Sequence, residues 1–276
     1  MCQKRRCAWA PVLAIPVLLV RLGLPQTNLT LAQDTEPPVQ DLRANGQKQM
    51  RYFLIGPAKG EPPKPGYRLL LVLPGGDGSA EFRPFVTNIL QNALSEKYLV
   101  AQLVAPKWRE DENRTVWPTE KNPDAKMAFT SEKFVNVVVE QVKTKQKIDV
   151  RHVYALGWSS GGPAAYAAAL REKTPITGAF VAMSVFKPEQ LPPAKNAKGR
   201  AFYILHSPQD FIAMRFPQQA KDMLAKAGAN VTLVTYEGGH GWHGDVFGMI
   251  RSGIEWLDEQ TEKPRQEPKS RGPERD

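Results

Sequence analysis

The sequence predicts an α/β fold, a mostly parallel sheet with helices packed on both faces, and three observations carry that expectation. Short runs rich in branched and aromatic residues alternate with stretches of helical spacing between Met50 and Gln260. Tyr67 to Leu73 is apolar apart from Arg68, as befits a strand covered on both sides. Val153-Tyr154-Ala155-Leu156 runs directly into Gly157-Trp158-Ser159-Ser160-Gly161-Gly162 and then into the alanine-rich Ala164 to Leu170, which reads as strand, tight turn and helix.

In chain order, residues 33–49 are polar, contain Pro37-Pro38 and read as a flexible lead-in. Met50 to Ile55 and Tyr67 to Leu73 are strands joined by the turn-rich stretch from Gly56 to Gly66, and the first is expected to pair with the second as an edge hairpin. Ala80 to Ser95 has helical spacing, and Tyr98 to Val104 reads as a buried strand. Lys107 to Thr130 has no period and carries Trp108 and Trp117, so it is expected to form a loop over the site. Phe134, Val135, Val138, Val139 and Val142 mark a helix from Ser131 to Gln146, capped by Thr130 or Ser131. After the glycine-serine turn, strands are expected at Gly178 to Met183, Ala201 to His206 and Val231 to Tyr236, with helices at Pro217 to Ala227 and Phe247 to Gln260. Residues 261–276 mix prolines with charges of both signs and read as a disordered tail.

The chain has 276 residues, 42% hydrophobic and 24% charged, enough for one sizeable core, here taken to span residues 50–260. Residues 1–32 begin Met1-Cys2-Gln3-Lys4-Arg5-Arg6, continue through a mostly apolar stretch and end in small residues, the pattern of a secretory signal. That pattern leads to an expectation of secreted or periplasmic residence, with membrane contact only through an uncleaved signal segment. The uninterrupted apolar run is too short to span a bilayer. Both cysteines, Cys2 and Cys7, lie in this segment, so the rest of the chain can form no disulfide. Cleavage would also remove Lys4, Arg5, Arg6 and Arg21, reducing the net charge of +9, and the remaining charges are interspersed. Nothing in that pattern suggests a nucleic-acid partner.

Small residues around Ser159 permit a sharp strand-to-helix bend that presents its hydroxyl above a sheet. A serine hydroxyl is a poor nucleophile at neutral pH and needs a base, which in turn needs an acid to orient it. Behind such a turn the chain order is serine, acid, histidine. Of the four histidines, His152 precedes the serine strand and His206 precedes any suitable acid. His240, in Glu237-Gly238-Gly239-His240-Gly241-Trp242, fits the order, with His243 as the alternative base. Asp210 follows a buried strand by a short turn and is the expected acid; Asp245 and Glu237 lie too near the histidine in sequence. A zinc site from His240, His243 and Asp245 lacks any further histidine or cysteine ligand nearby. Leu73-Pro74-Gly75-Gly76-Asp77-Gly78 offers backbone donors, and the amides of Gly76 and Ser160 are the expected oxyanion hole, with Asp77 adjacent. That glycine loop has neither the Gly-Lys-Ser/Thr of a phosphate loop nor dinucleotide spacing. Trp108, Trp117, Trp158 and Trp242 together suggest an aromatic-walled cleft suited to aryl or sugar-linked esters.

Arg51-Tyr52-Phe53-Leu54, Leu71 to Gly76, Asp149 to Gly162, Asp210 and Gly239-His240 resemble the α/β-hydrolase superfamily, nearest to secreted feruloyl-esterase and polyhydroxybutyrate-depolymerase-like serine esterases. The resemblance covers about Arg51 to Gln260 and implies the α/β-hydrolase fold, a Ser159, Asp210, His240 triad and an acyl-serine intermediate resolved by water. Such relatives read Leu-His-Gly before the oxyanion hole, whereas Pro74 stands here in place of the histidine, and they often carry disulfides. The expected function is therefore hydrolysis of a small-molecule or polymer-linked carboxylic ester, with no cofactor and no metal. The alternatives are a serine peptidase acting on short peptides and a silent binding protein that keeps the fold.

Overall fold

The computed structural model describes residues 36–57, 61–109 and 115–263; the expected signal segment of residues 1–32 and residues 264–276 of the expected tail lie outside them. Eight strands form one sheet: β1 Val39–Arg43, β2 Arg51–Ile55, β3 Tyr67–Leu73, β4 Tyr98–Leu103, β5 Ile148–Trp158, β6 Gly178–Ala182, β7 Ala201–His206 and β8 Asn230–Thr235. Their order is β1-β2-β4-β3-β5-β6-β7-β8. The pairs β1/β2 and β2/β4 are antiparallel, and every pair from β4/β3 to β7/β8 is parallel. Five helices connect them: α1 Arg83–Ala93, α2 Ser131–Lys145, α3 Gly162–Leu170, α4 Arg215–Lys226 and α5 Val246–Glu262. Among the described residues no helix is long and apolar enough to cross a membrane.

Side chains alternate across the central strands with the period of two that a pleated strand imposes. Leu69, Leu71, Leu73, Val153 and Ala155 pack on one face with α2, α3 and α4. Leu70, Val72, Tyr154 and Leu156 pack on the other with α1 and α5. Burying a leucine or valine of this kind contributes roughly 1.5–3 kcal/mol, so two continuous apolar layers hold the middle strands in register. Thr130 caps α2 by accepting from the Lys133 amide, as its sequence position implies.

Four expectations need correction. The lead-in is ordered within residues 39–46, where β1 pairs with β2 and a 3-10 turn follows. Its strand was hidden by polarity, because an edge strand needs little apolar surface and Asp41 is held by Arg51 and Arg43 instead. Next, β2 and β3 do not form a hairpin: β2 pairs with β1 and β4, while β3 lies between β4 and β5. The connection from Gly56 to Gly66 is too long to dictate a hairpin, so burial decides, and the more apolar β3 takes the centre. Third, the described part of Lys107 to Thr130 packs along the α2 side. Trp108 stacks edge-on against Phe129 at 4.8 Å, and buried Trp117 donates its indole N–H to the Pro74 carbonyl at 2.9 Å. Large aromatic side chains in a polar segment drew the chain down onto the core. At the C-terminal end, α5 runs through Thr261 and Glu262, two residues into the expected tail.

Candidate active site

The parallel strands end at one edge of the sheet, and the loops that leave β3, β5, β7 and β8 carry Gly76, Ser159, Asp210 and His240 respectively. Ser159 follows β5 directly and has φ +49, a conformation unusual for any residue other than glycine. The bend is possible because its neighbours lack side chains. A Cβ at Gly161 would lie 2.0 Å from the Leu73 carbonyl oxygen, and one at Gly157 would lie 2.6 Å from the Gly161 oxygen. Ser184, just after β6, donates to the Ser159 carbonyl at 2.7 Å and pins the bend from the neighbouring strand.

Ser159 Oγ lies 3.0 Å from His240 Nε2. On the other side of the ring, His240 Nδ1 lies 2.8 Å from Asp210 Oδ2 and 3.0 Å from Oδ1. The Asp210 carboxylate is fully buried, whereas the His240 side chain is 24% exposed, so the ring faces both the sheltered acid and the open cleft. An ionised carboxylate can only accept, which keeps a proton on Nδ1 and leaves Nε2 free to accept from the serine hydroxyl. The structure thus brings together the three residues that the sequence singled out for nucleophile, base and acid.

The two residues expected to supply the oxyanion donors are linked to each other. Ser160 Oγ donates to the Gly76 carbonyl at 2.8 Å, tying the loop after β3 to the serine bend. The Ser160 amide lies in the first turn of the bend that opens α3, where backbone donors have no helical acceptor. Gly76 has φ +58 and is exposed, and the Gly78 amide closes the turn on the Gly75 carbonyl at 3.0 Å.

The remaining candidates are occupied elsewhere. His243 is exposed and its Nε2 sits 3.4 Å from the His240 carbonyl, Asp245 caps α5 through the Gly248 amide, and Glu237 accepts from Gln209. His152 bonds Asp149 near the start of β5, at the opposite sheet edge. His206 is buried at the end of β7, and its Nε2–H donates to the Ile212 carbonyl at 2.7 Å, steadying the turn that carries Asp210. Among the described residues, no three His, Cys, Asp or Glu side chains form a group that could hold a metal ion.

Only two of the four tryptophans belong here. Trp158 and Trp242 meet edge-to-face at 5.9 Å and are joined by Phe85, whereas Trp108 and Trp117 pack in the opposite apolar layer. Sequence reasoning missed the residues that hold the acid and histidine loops. The Tyr236 hydroxyl lies 3.0 Å from the Gly239 carbonyl and 2.7 Å from that of Gly241, bracketing His240. Its burial and the nearby Asp210 push its pKa up to about 12, so it stays protonated and remains a donor. Ser207 Oγ accepts from the amides of Gln209 and Gly239, and Gln209 Oε1 accepts from the Gly238 amide, so the two loops share one network. A tyrosine immediately before a glycine-rich loop was the available clue for Tyr236.

Comparison with protein-family models and with curated proteins finds no match. Solved structures do match. A thermostable esterase from Pseudomonas putida aligns with TM-score 0.62 at 13% identity, covering 83% of this chain and 85% of its own. The α/β-hydrolase enzyme MGS-M1 from a Medee basin deep-sea metagenome aligns with TM-score 0.60 at 14% identity, covering 82% and 99%. A Bacillus cereus carboxylesterase aligns with TM-score 0.54 at 20% identity, covering 70% and 89%. With the mostly parallel sheet, the helices on both faces and the serine bend after β5, these likenesses identify the fold of this chain as the α/β-hydrolase fold.

Proposed function

We propose that this protein is a serine hydrolase that cleaves carboxylic esters through an acyl-serine intermediate. The observation that carries the reading is the continuous line from Ser159 Oγ to His240 Nε2 and from His240 Nδ1 to Asp210, with separations of 3.0 and 2.8 Å. Solved structures of the same fold that are named as esterases support the ester-directed part.

In this scheme Ser159 Oγ attacks the ester carbonyl carbon while its proton passes to His240 Nε2. Negative charge moves onto the carbonyl oxygen and is met by the amides of Gly76 and Ser160, donors that need no reorganisation at that moment. Asp210 stabilises the imidazolium. The intermediate then collapses, the bond to the alcohol oxygen breaks, and His240 returns the proton to the departing oxygen. Water takes the alcohol's place and attacks the acyl carbon as its proton passes to His240; the bond from that carbon to Ser159 Oγ then breaks, His240 returns the proton to Oγ, and the acid leaves. The scheme calls for no cofactor.

Hydrolysis of p-nitrophenyl acetate by residues 33–276 tests the proposal, run beside Ser159→Ala and Asp210→Asn and beside the matching p-nitroanilide. The expected result is ester turnover that vanishes in Ser159→Ala and falls about 10³–10⁴-fold in Asp210→Asn. Turnover that persists in Ser159→Ala would overturn it, and preference for the anilide would move the reading to a peptidase. Export through residues 1–32 is part of the proposal, and sequencing the N-terminus of the mature protein tests it.

A further inference from the structure

Among the described residues two large apolar side chains are exposed, Val150 and Phe211. Val150 lies near the start of β5, at the sheet edge away from Ser159. Phe211 lies against the candidate base: its ring is 80% exposed, and its centroid is 4.4 Å from that of His240. The other aromatic side chains near the serine, Phe82, Phe85, Trp158 and Trp242, meet one another with centroids 5.6 to 6.0 Å apart.

The exposure of Phe211 is imposed by its surroundings. On one side the Asp210 carboxylate is turned inward, and the Asp210 amide donates to the Ser207 carbonyl at 3.1 Å. On the other, the Ile212 amide donates to Asp210 Oδ1 at 2.7 Å and the Ile212 carbonyl accepts from buried His206. With residues 210 and 212 fixed in this way, the side chain between them is displayed over the imidazole.

We infer that Phe211 borders the alcohol half of the substrate and selects esters of aromatic or bulky apolar alcohols. The inference rests on the ester-hydrolase reading of the site. In acylation the bond from Ser159 Oγ to the carbonyl carbon forms and the bond to the alcohol oxygen breaks, and the proton taken by Nε2 goes to that oxygen. The departing oxygen must therefore come within hydrogen-bond reach of Nε2, so the group attached to it lies along the imidazole, where the Phe211 ring offers its free surface. The acyl group points elsewhere, away from His240. Phe211 is thus a specificity residue for one half of the ester only.

The test compares kcat/KM of wild type, Phe211→Ala and Phe211→Tyr on two series. One holds the acetyl group and varies the alcohol through methyl, benzyl and phenyl; the other holds phenol and varies the acyl group through acetyl, propionyl and butyryl. Phe211→Ala is expected to lose about tenfold more on benzyl and phenyl acetate than on methyl acetate, with the same factor along the acyl series and recovery in Phe211→Tyr. Unfolding midpoints should match wild type, since the ring packs into no core. An equal loss on all alcohols, or a loss that follows the acyl chain, would overturn the inference while leaving the ester-hydrolase reading intact. A wild type that turns over none of these esters would overturn both.

Discussion

For His240 to act as a base its ring must stay aimed at Ser159, yet its loop has glycine at 238, 239 and 241 and little intrinsic stiffness. The Tyr236 hydroxyl supplies the missing order by holding the carbonyls on either side of the histidine. Tyr236→Phe should lower kcat about tenfold with little change in KM, the loss expected of roughly one hydrogen bond that positions without touching substrate. Steady-state kinetics with p-nitrophenyl acetate would read the split, and an unchanged kcat would show that the loop holds itself. At this scale the three residues that the structure brings together were legible as candidates, and their supports were not. Ser159, Asp210 and His240 are constrained by order along the chain and by the small residues a sharp bend demands. Ser184 and His206 act on backbone carbonyls, contacts that leave no pattern in sequence, and Tyr236 was marked only by its place before the glycine-rich loop. Pro74, which departs from the histidine of the resembled esterases, accepts from Trp117 through its carbonyl, so the candidate oxyanion loop is braced by an indole.

Elements meet closely where the site is built. α3 approaches β3 through Gly161, and a methyl group there would drive into the Leu73 carbonyl, which belongs to a central strand and cannot yield. Gly161→Ala should therefore cost about 2–3 kcal/mol, seen as a lower midpoint in urea unfolding. A second element-level case is α2, whose first turn contains the fully buried Glu132. One carboxylate oxygen accepts from the Glu120 amide at 3.1 Å, and burial raises the pKa above the ordinary 4.5. A raised folded-state pKa favours folding below the unfolded value, and that contribution is lost as pH rises through the folded value. Relative to Glu132→Gln, the wild type should lose stability as pH rises above the ordinary 4.5 and through the raised folded-state value, measured as the difference in unfolding free energy. A constant difference would contradict the assignment. Among the described residues, seven of the eight strands and all five α-helices were readable from periodicity, because each buries a stripe or face, whereas the polar edge strand β1 was not. Their neighbours were not: the placement of β2 beside β4 depends on competition among distant strands for the centre of the sheet.

Across the whole molecule the candidate site occupies one edge of the sheet and a polar cluster around Asp258 lies toward the other. Asp258, near the end of α5, accepts from Tyr98 at 2.7 Å and Tyr154 at 3.0 Å, and pairs with Arg68. Three adjacent strands, β3, β4 and β5, are thereby fastened to the closing helix. Asp258→Ala removes the acceptor of the Tyr98 hydroxyl and one partner each of Arg68 and Tyr154, which keep Glu262 and Thr261, and should cost about 1–3 kcal/mol of stability. The folded variant should keep kcat within about twofold, because stability and chemistry sit at opposite ends of the strands. A large loss of kcat at temperatures where the variant is folded would contradict that separation.

The central claim is that Ser159 is the nucleophile, and adduct mapping tests it most directly. The purified protein is treated with a fluorophosphonate, weighed intact, digested, and its modified peptide sequenced by mass spectrometry. The account predicts one adduct per chain, located on Ser159 and absent after His240→Asn, which lacks the base. No adduct on wild type, or an adduct on another residue, would contradict it.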